Sequence, residues 1–270
     1  MSWNVIYGSP TGSVDTPRQP SAAALALAGF APSLIRGTVL QPSAAALALA
    51  GLSPTLASAF STTFPNTENP VSLGGLVKQG LADGVDWSNT QSTAGSPGSC
   101  YATAFNDSTD NDSIMWMPGV FSTTKHYSQI TIHKAAGYTA PSTHEVECHV
   151  GTTGSAHSIK SYEMDFGIGL NLQPVRWDGA INAFTTNCFT VLSGNFLSVA
   201  DGDVVKTVFD SSSGSPVITV FLNGVQQIQM TDTTAGKLTT GAPGVGFFIR
   251  SGTGADFTRY CISDWACGNA

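Results

Sequence analysis

Two carboxylates stand two positions apart in the segment SYEMDFG, at Glu163 and Asp165. Alternate residues of a β-strand point to the same face, so a strand here would place both on one side of a sheet. Two carboxyl groups about 5 Å apart can cleave a glycosidic bond with retention, one as nucleophile and one as proton donor. The positions that would supply a second glutamate hold Gly167 and Ile168. The segment therefore predicts solvent-facing strand residues, and we expect a protein that is not an enzyme.

An acidic loop with the sequence NDSTDND contains Asp107, Asp110 and Asp112. Clustered oxygen ligands of this kind can wrap a calcium ion. The spacing is not that of an EF-hand, whose closing glutamate is absent, and Asp and Asn are also the residues that turns require. Two interpretations are open, a calcium site and an ordinary turn, and no other cofactor is expected.

The segment HEVECH carries two histidines, His144 and His149. It is one residue longer than the H-E-x-x-H motif, whose histidines bind zinc from one face of a helix. On a strand, residues five positions apart point to opposite faces, so these two cannot share a metal ion. We predict that both are structural.

The last candidate site is aromatic. Sugar recognition uses ring faces against C–H surfaces together with a few fixed polar groups. Trp177 stands between a basic and an acidic residue, which makes this group the first candidate for contact with a glycan. The full set of candidate glycan-binding residues is Trp87, Tyr138, Arg176, Trp177 and Asp178.

The composition favours many strands joined by tight turns. Only 11% of the 270 residues are charged, and the chain has 29 glycines and 14 prolines. The formal net charge is −7, which argues against nucleic acid and anionic membranes as partners. No apolar run approaches the 18 residues that a membrane-spanning helix needs.

Five cysteines are scattered through the chain without a C-x-x-C pair. This spacing does not support a zinc ribbon or a redox motif, and an odd number fits buried reduced thiols better than a disulfide framework. A bridge between Cys261 and Cys267 is the alternative that stays open.

Short strand candidates separated by turn residues fill the chain from about Val71 to the C-terminus. The clearest is a hairpin, in which an apolar run at Val217–Leu222 is followed by Asn223-Gly224 and a second run. Asn-Gly favours the type I′ turn, and the unbroken run indicates a strand buried on both faces. The other candidates are residues 101–105, 113–117, 127–134, 144–150, 161–168, 184–192, 204–209, 245–250 and 257–265. This spacing predicts a β-sandwich.

An internal repeat lies near the N-terminus. The segment QPSAAALALAG at residues 19–29 recurs letter for letter at residues 41–51. Alanine and leucine favour helix, but each segment is short, bracketed by Pro and Gly, and alternates Leu with Ala. We therefore expect extended segments, with helix as the alternative. Two units cannot enclose a core, so their apolar faces need an external partner. The candidate attachment residues are Trp3, Tyr7, Leu25, Leu27, Leu47 and Leu49.

The tandem pattern P-x-x-A-A-L-x-L-x-G-x-x-P resembles short repeats of structural and tail-associated proteins of tailed bacteriophages. The resemblance covers residues 19–56. It implies a virion protein, assembled in the host cytoplasm, whose N-terminal region attaches to other virion proteins or to sister chains as a homo-oligomer. An alanine-rich linker with no specific partner is the alternative.

The remainder of the chain resembles the concanavalin A-like lectin and glucanase jelly roll, including laminin-G-like modules. The resemblance is carried by Trp87, Trp116, the segment RWDG at residues 176–179, the segment DGD at residues 201–203 and Asn223-Gly224. It implies a fold that hosts lectins, hydrolases and purely structural modules alike.

These observations predict an all-β protein: a concanavalin A-like jelly-roll β-sandwich preceded by an extended N-terminal arm with a tandem repeat. The expected regions are an arm at residues 1–18, the repeat at 19–56, a linker at 57–71 and the sandwich at 72–270. We expect a phage virion protein, as a decoration, fibre or tail-associated component, that displays a glycan-binding domain for adhesion. The alternatives are a glucanase-type glycoside hydrolase and a decoration protein without a ligand.

Overall fold

The computed structural model describes residues 59–79, 90–95, 98–102, 113–139, 144–155, 158–167, 171–180, 183–249 and 258–270. The chain divides into two units, Met1–Leu56 and Ala57–Ala270. The predicted arm and repeat, with all six candidate attachment residues, lie outside the described residues. Within the described residues, no helix is long and apolar enough to cross a lipid bilayer.

The described part of the second unit is built almost entirely of strands, with one short 3-10 helix at Leu73–Gly75. The strands are β1 (Ala59–Thr62), β2 (Lys78–Gln79), β3 (Thr90–Thr93), β4 (Ser99–Ala102), β5 (Ser113–Trp116), β6 (Lys125–Lys134), β7 (His144–Ser155), β8 (Ser158–Gly167), β9 (Gln173–Ala180), β10 (Phe184–Thr185), β11 (Phe189–Gly194), β12 (Val204–Asp210), β13 (Val217–Leu222), β14 (Val225–Asp232), β15 (Ala242–Ile249) and β16 (Tyr260–Asn269).

These strands form two antiparallel sheets. The nine-stranded sheet has the order β11-β14-β13-β12-β6-β16-β4-β3, with β1 also paired to β16, and the seven-stranded sheet has the order β10-β9-β8-β7-β15-β5-β2. The late strands β15 and β16 lie in the middle of their sheets, β15 between β5 and β7 and β16 between β4 and β6. Such long-range insertion is the connectivity of a jelly roll rather than of a simple meander. The prediction of an all-β jelly-roll sandwich is confirmed.

One hydrophobic core lies between the sheets and is supplied by alternate residues of both. Ile130 of β6 and Val205 of β12 are cross-strand partners, and both are fully buried. A hydrogen-bonded bridge also crosses the core, because the Trp265 indole donates to Ser128 Oγ at 3.0 Å and Ser128 donates to the carbonyl oxygen of Gly244 in the opposite sheet at 2.6 Å. The largest buried side chain therefore has a partner for its only polar atom.

The predicted hairpin is present. Leu222 pairs with Val225 across the turn, and the two central residues have positive φ, 50° at Asn223 and 81° at Gly224, as a type I′ turn requires. The middle of β13 is buried on both faces, from Ile218 to Val220. The ends of the strand are only half-buried, so the continuous apolar run overstates the depth of the strand.

The sandwich begins earlier than expected. Residues 57–71 have the Ser, Thr and Pro content of a linker, but β1 lies inside that range and pairs with the C-terminal strand β16. Phe60 packs against Trp265 with ring centroids 6.0 Å apart, and Phe64 is 1% exposed. Packing of these two phenylalanines against the core makes the segment part of the sandwich despite its polar composition. The sandwich therefore begins at Ala57 and not near Val71 as predicted.

All five cysteines are free and buried. Cys261 and Cys267 lie on the same strand, β16, six residues apart, a separation of about 20 Å in an extended chain that no disulfide can span. Burial raises the pKa of the Cys148 thiol to about 12. The prediction of reduced, buried thiols agrees with the structure.

Candidate functional site

The candidate site lies on the outer face of the seven-stranded sheet. On β7 and β8, Cys148 and Met164 point into the core, so their neighbours Glu147, His149 and Glu163 point to the opposite face. The strand register then brings these residues together, because His149 pairs with Glu163. On this face Glu147 also pairs with Asp165, which places four ionisable side chains on two adjacent strands.

We call Glu147, His149 and Glu163 the Glu-His-Glu cluster. Nε2 of His149 lies 2.9 Å from Oε2 of Glu147 and 3.8 Å from Oε2 of Glu163. One ligand atom from each residue lies within 4.8 Å of the others, and this is the one group of that kind found among the described residues. All three are buried, with 2%, 2% and 6% of their surface exposed. The cluster therefore has the residue types and the spacing to hold a metal ion.

Surrounding groups fix the orientation of the cluster. Nδ1 of His149 is 3.0 Å from Ser161 Oγ, which is in turn 2.8 Å from Thr152 Oγ1. On the other side, the Trp177 indole donates a hydrogen bond to Oε2 of Glu163. Burial lowers the pKa of His149, which favours the neutral ring. The 2.9 Å contact between His149 Nε2 and Glu147 Oε2 is a hydrogen bond with a proton between the two atoms, and Ser161 Oγ can donate to or accept from Nδ1.

A glycine on the neighbouring strand β15 also lies against the cluster. Gly246 of β15 pairs with Glu147, and a Cβ atom built on it would lie 2.5 Å from His149 Nε2 and closer still to Glu147 Oε2. Any side chain larger than hydrogen at this position would displace Glu147 and His149. Glycine at this position therefore lets Glu147 and His149 fold over the β15 backbone.

An aromatic pair stands beside the cluster at the edge of the same sheet. Phe184 of β10 is the cross-strand partner of Trp177 in β9, and the ring centroids are 5.7 Å apart. Phe184 is 52% exposed, whereas Trp177 is half-buried. We call these two the Trp177–Phe184 pair. It presents ring surface next to a glutamate whose carboxylate the Trp177 indole already holds.

The predicted glycan-binding group at Arg176, Trp177 and Asp178 is divided between two faces of the sheet. Arg176 points into the sandwich, where it donates hydrogen bonds to Asp232 and Asp178, both at 2.7 Å. Only Trp177 remains on the outer face, because consecutive strand residues alternate. Tyr138 is also buried, with its hydroxyl 2.9 Å from His144 Nδ1.

The remaining predicted site residues are Trp87 and the calcium candidates Asp107, Asp110 and Asp112, which lie outside the described residues. The expectation that His144 and His149 face opposite ways agrees with the structure, since His144 packs with Tyr138 while His149 joins the Glu-His-Glu cluster. The interpretation of Glu163 and Asp165 as solvent-facing is wrong, because each is only 6% exposed.

Sequence reasoning missed the pairing of Glu147 with His149. In HEVECH the two histidines resemble a zinc motif, whereas the informative spacing is Glu147-x-His149, two residues that share one face of a strand. The third member, Glu163, comes from a neighbouring strand, and the register that places it there is a tertiary feature.

Fold and site together define an all-β sandwich that carries, on one sheet, a buried Glu-His-Glu cluster and an aromatic pair with one exposed ring. No known family model and no curated protein matches the sequence. Among solved structures, the chain is similar to a protein of unknown function with a galectin-like fold from Bacillus subtilis, at 10% identity over 78% of this chain and 94% of that chain, with a TM-score of 0.48.

Two further similar structures are an enzyme and a sugar-recognition domain. An endo-1,3-beta-glucanase from Streptomyces sioyaensis is 11% identical over 82% of this chain and 100% of that chain, with a TM-score of 0.45. The carbohydrate recognition domain of Emp47p is 9% identical over 77% of this chain and 93% of that chain, with a TM-score of 0.43.

Proposed function

We propose that the protein binds a glycan on the outer face of the seven-stranded sheet. The observation that carries this proposal is the Trp177–Phe184 pair, an exposed ring surface held beside the carboxylate of Glu163. Sugar rings have apolar C–H faces and hydroxyl edges, so a site for them combines aromatic rings with fixed polar groups. The Trp177–Phe184 pair supplies the ring surface, and the hydrogen bond to the buried Glu163 carboxylate fixes the orientation of the Trp177 ring.

With Phe184 52% exposed at the edge of the sheet, we expect a shallow site. One ring surface contributes modest affinity, and several copies displayed together would supply the rest through avidity. Adhesion by a multivalent surface fits this arrangement better than capture of a free sugar.

Replacing Phe184 with alanine is expected to weaken glycan binding roughly tenfold, because the exposed half of the aromatic surface is lost. Full-length protein is screened on a glycan array, and the best ligand is then titrated by calorimetry. Phe196→Ala is the matched control, since Phe196 is 45% exposed but follows β11 of the other sheet. The absence of binding to any glycan on the array would contradict the proposal, and so would an equal loss of affinity in Phe196→Ala.

We further propose that the protein is a structural component of a phage virion and that its N-terminal region attaches to neighbouring virion proteins or to sister chains. The support is the exact recurrence of QPSAAALALAG at residues 19–29 and 41–51, whose leucine faces need a partner. Mass spectrometry of purified particles is expected to detect the protein. Binding to particles without any glycan ligand would identify a purely structural decoration protein instead.

Hydrolysis of a glycan is the second candidate function, and one observation favours it. Strand β8 lacks a second glutamate, but β7 provides one, and carboxylate oxygens of Glu147 and Glu163 lie within 4.8 Å of each other. This is close to the separation of about 5 Å that a retaining mechanism uses. Release of reducing sugar from a polysaccharide panel, abolished in Glu163→Gln and in Glu147→Gln, would support this function. If no polysaccharide of the panel releases reducing sugar, the hydrolysis proposal is contradicted.

A further inference from the structure

We propose that Glu147, His149 and Glu163 form a binding site for a divalent transition-metal ion, with Zn²⁺ as the best-fitting ion and Mn²⁺ as the next. One imidazole nitrogen and two carboxylate oxygens are ligands that Zn²⁺ accepts, and carboxylates also suit Mn²⁺. The metal site shares Glu163 with the proposed glycan site, where that carboxylate holds Trp177, but metal binding does not require a glycan. It does compete with hydrolysis, because a metal ion would occupy both carboxylates.

The distances within the cluster match those of a metal site. Two ligand atoms that each lie about 2.1 Å from a tetrahedral ion are about 3.4 Å apart. The separations from His149 Nε2 to the two glutamate oxygens are 2.9 and 3.8 Å, on either side of that value. All three ligand atoms lie within 4.8 Å of one another, so side-chain adjustments on two strands that are already hydrogen-bonded to each other would bring them to that spacing.

The supporting contacts are those of a metal site as well. A histidine ligand usually makes a hydrogen bond through its other nitrogen, which fixes the ring and its tautomer, and Ser161 Oγ stands 3.0 Å from His149 Nδ1. A carboxylate ligand is usually hydrogen-bonded in turn, and Glu163 accepts a bond from the Trp177 indole. Both ligand orientations are thus set before any ion arrives.

Electrostatics favours a cation at this point. Two carboxylates whose oxygens lie within 4.8 Å of each other repel, and burial of both side chains strengthens that repulsion. A divalent ion balances the two negative charges, and three protein ligands leave at least one coordination position for water or for a ligand.

The test is a metal titration of the full-length protein after removal of bound metal with a chelator. Calorimetry with ZnCl₂ and MnCl₂ is expected to show one high-affinity Zn²⁺ per chain, and X-ray absorption should show an imidazole among the ligands. His149→Gln and Glu163→Gln are each expected to weaken binding at least 100-fold. The matched control is His133→Gln, which alters a surface histidine 3.5 Å from Asp201 and should bind as the wild type does.

A separate variant keeps the test decisive if the glutamate and histidine substitutions unfold the protein. Gly246→Ala retains all three ligands but places a methyl group against Glu147 and His149, so it is expected to abolish Zn²⁺ binding in a folded protein. Absence of stoichiometric Zn²⁺ or Mn²⁺ binding by the wild type would overturn the proposal, and so would binding that folded His149→Gln retains. Glycan-array silence alongside metal binding would overturn only the glycan proposal.

Discussion

Replacing Asp232 with alanine is expected to lower the free energy of unfolding by about 3–5 kcal/mol, because it breaks a buried ion pair that joins the two sheets. Asp232 ends β14 in the nine-stranded sheet and is 0% exposed. Its Oδ2 accepts hydrogen bonds from Arg176 of β9 at 2.7 Å and from the Tyr162 hydroxyl at 2.8 Å. The alanine variant would leave a buried guanidinium without its main counter-charge.

The Asp232 side chain is held in its ionised form. Burial is the largest influence on Asp232 and acts to raise its pKa, but hydrogen bonds from Thr234 and Arg176 outweigh it and hold the pKa below its usual value. Thr234 contributes through both its backbone N–H and its hydroxyl, at 2.8 and 2.6 Å. Removal of the carboxylate therefore leaves several buried donors without their acceptor.

Urea unfolding of the full-length protein, followed by tryptophan fluorescence, measures this effect. The matched control is Asp210→Ala, since Asp210 also ends a strand but forms a largely exposed pair with Lys125 at 2.8 Å, so the expected loss is about 1 kcal/mol or less. The double variant Asp232→Leu with Arg176→Met should recover much of the stability, because it removes both charges together. Equal losses for Asp232→Ala and Asp210→Ala would contradict the assignment.

Acidification from pH 7.5 to pH 4 is expected to remove about 3 kcal/mol of stability through His126 alone. Burial lowers the pKa of His126 from 6.5 to about 4, partly offset by its hydrogen bond to the Ser122 carbonyl. A difference of about 2.5 pH units corresponds to about 3 kcal/mol. Nε2 accepts a hydrogen bond from the Gly151 N–H at 3.0 Å, which only the neutral ring can do, while Nδ1 lies 2.9 Å from the Ser122 carbonyl oxygen.

Stability falls at low pH because the folded and unfolded proteins differ in proton binding at His126. Between pH 6.5 and 4 the unfolded chain binds a proton at this residue and the folded protein does not, so stability falls as pH falls through that range. Above pH 6.5 the contribution of His126 is constant. The neighbouring Asp210–Lys125 ion pair stays charged in the folded protein between pH 6.5 and 4. The hydrogen bond with Lys125, among other contacts, lowers the pKa of Asp210 to about 2.

The measurement is a series of urea midpoints between pH 7.5 and 4. His126→Gln is expected to be less stable at neutral pH but to lose about 3 kcal/mol less on acidification than the wild type does. His133→Gln, which changes a histidine with a 45% exposed side chain, should keep the wild-type slope. An unchanged slope in His126→Gln would show that another group controls the acid sensitivity.

Most of the fold could be predicted because its signals are local. Asn223-Gly224 requires positive φ at both residues whatever surrounds it, and alternation on β12 marks Val205 and Phe209 as inward-facing without knowledge of the partner sheet. The start of the sandwich was harder to predict, since β1 is a strand only because β16 lies beside it.

The candidate site could be predicted only in part. Alternation places Glu163 and Asp165 together, and the same rule separates His144 from His149. Neither inference reveals burial or cross-strand neighbours. Arg176 and Asp178 illustrate the limit, because adjacency to Trp177 in sequence suggested a shared surface, whereas successive strand residues face opposite sides of the sheet.

By itself, the sequence determined the all-β class and the central hairpin, because these depend on turn chemistry and residue alternation. Only the tertiary structure decided that Glu147, His149 and Glu163 meet. The register between β7 and β8 sets that contact, and Gly246 of β15 leaves the space for it. The β7–β8 register includes an irregularity between Val150 and Thr153 that alternation alone does not predict, and the placement of β15 beside β7 is a long-range property of the fold.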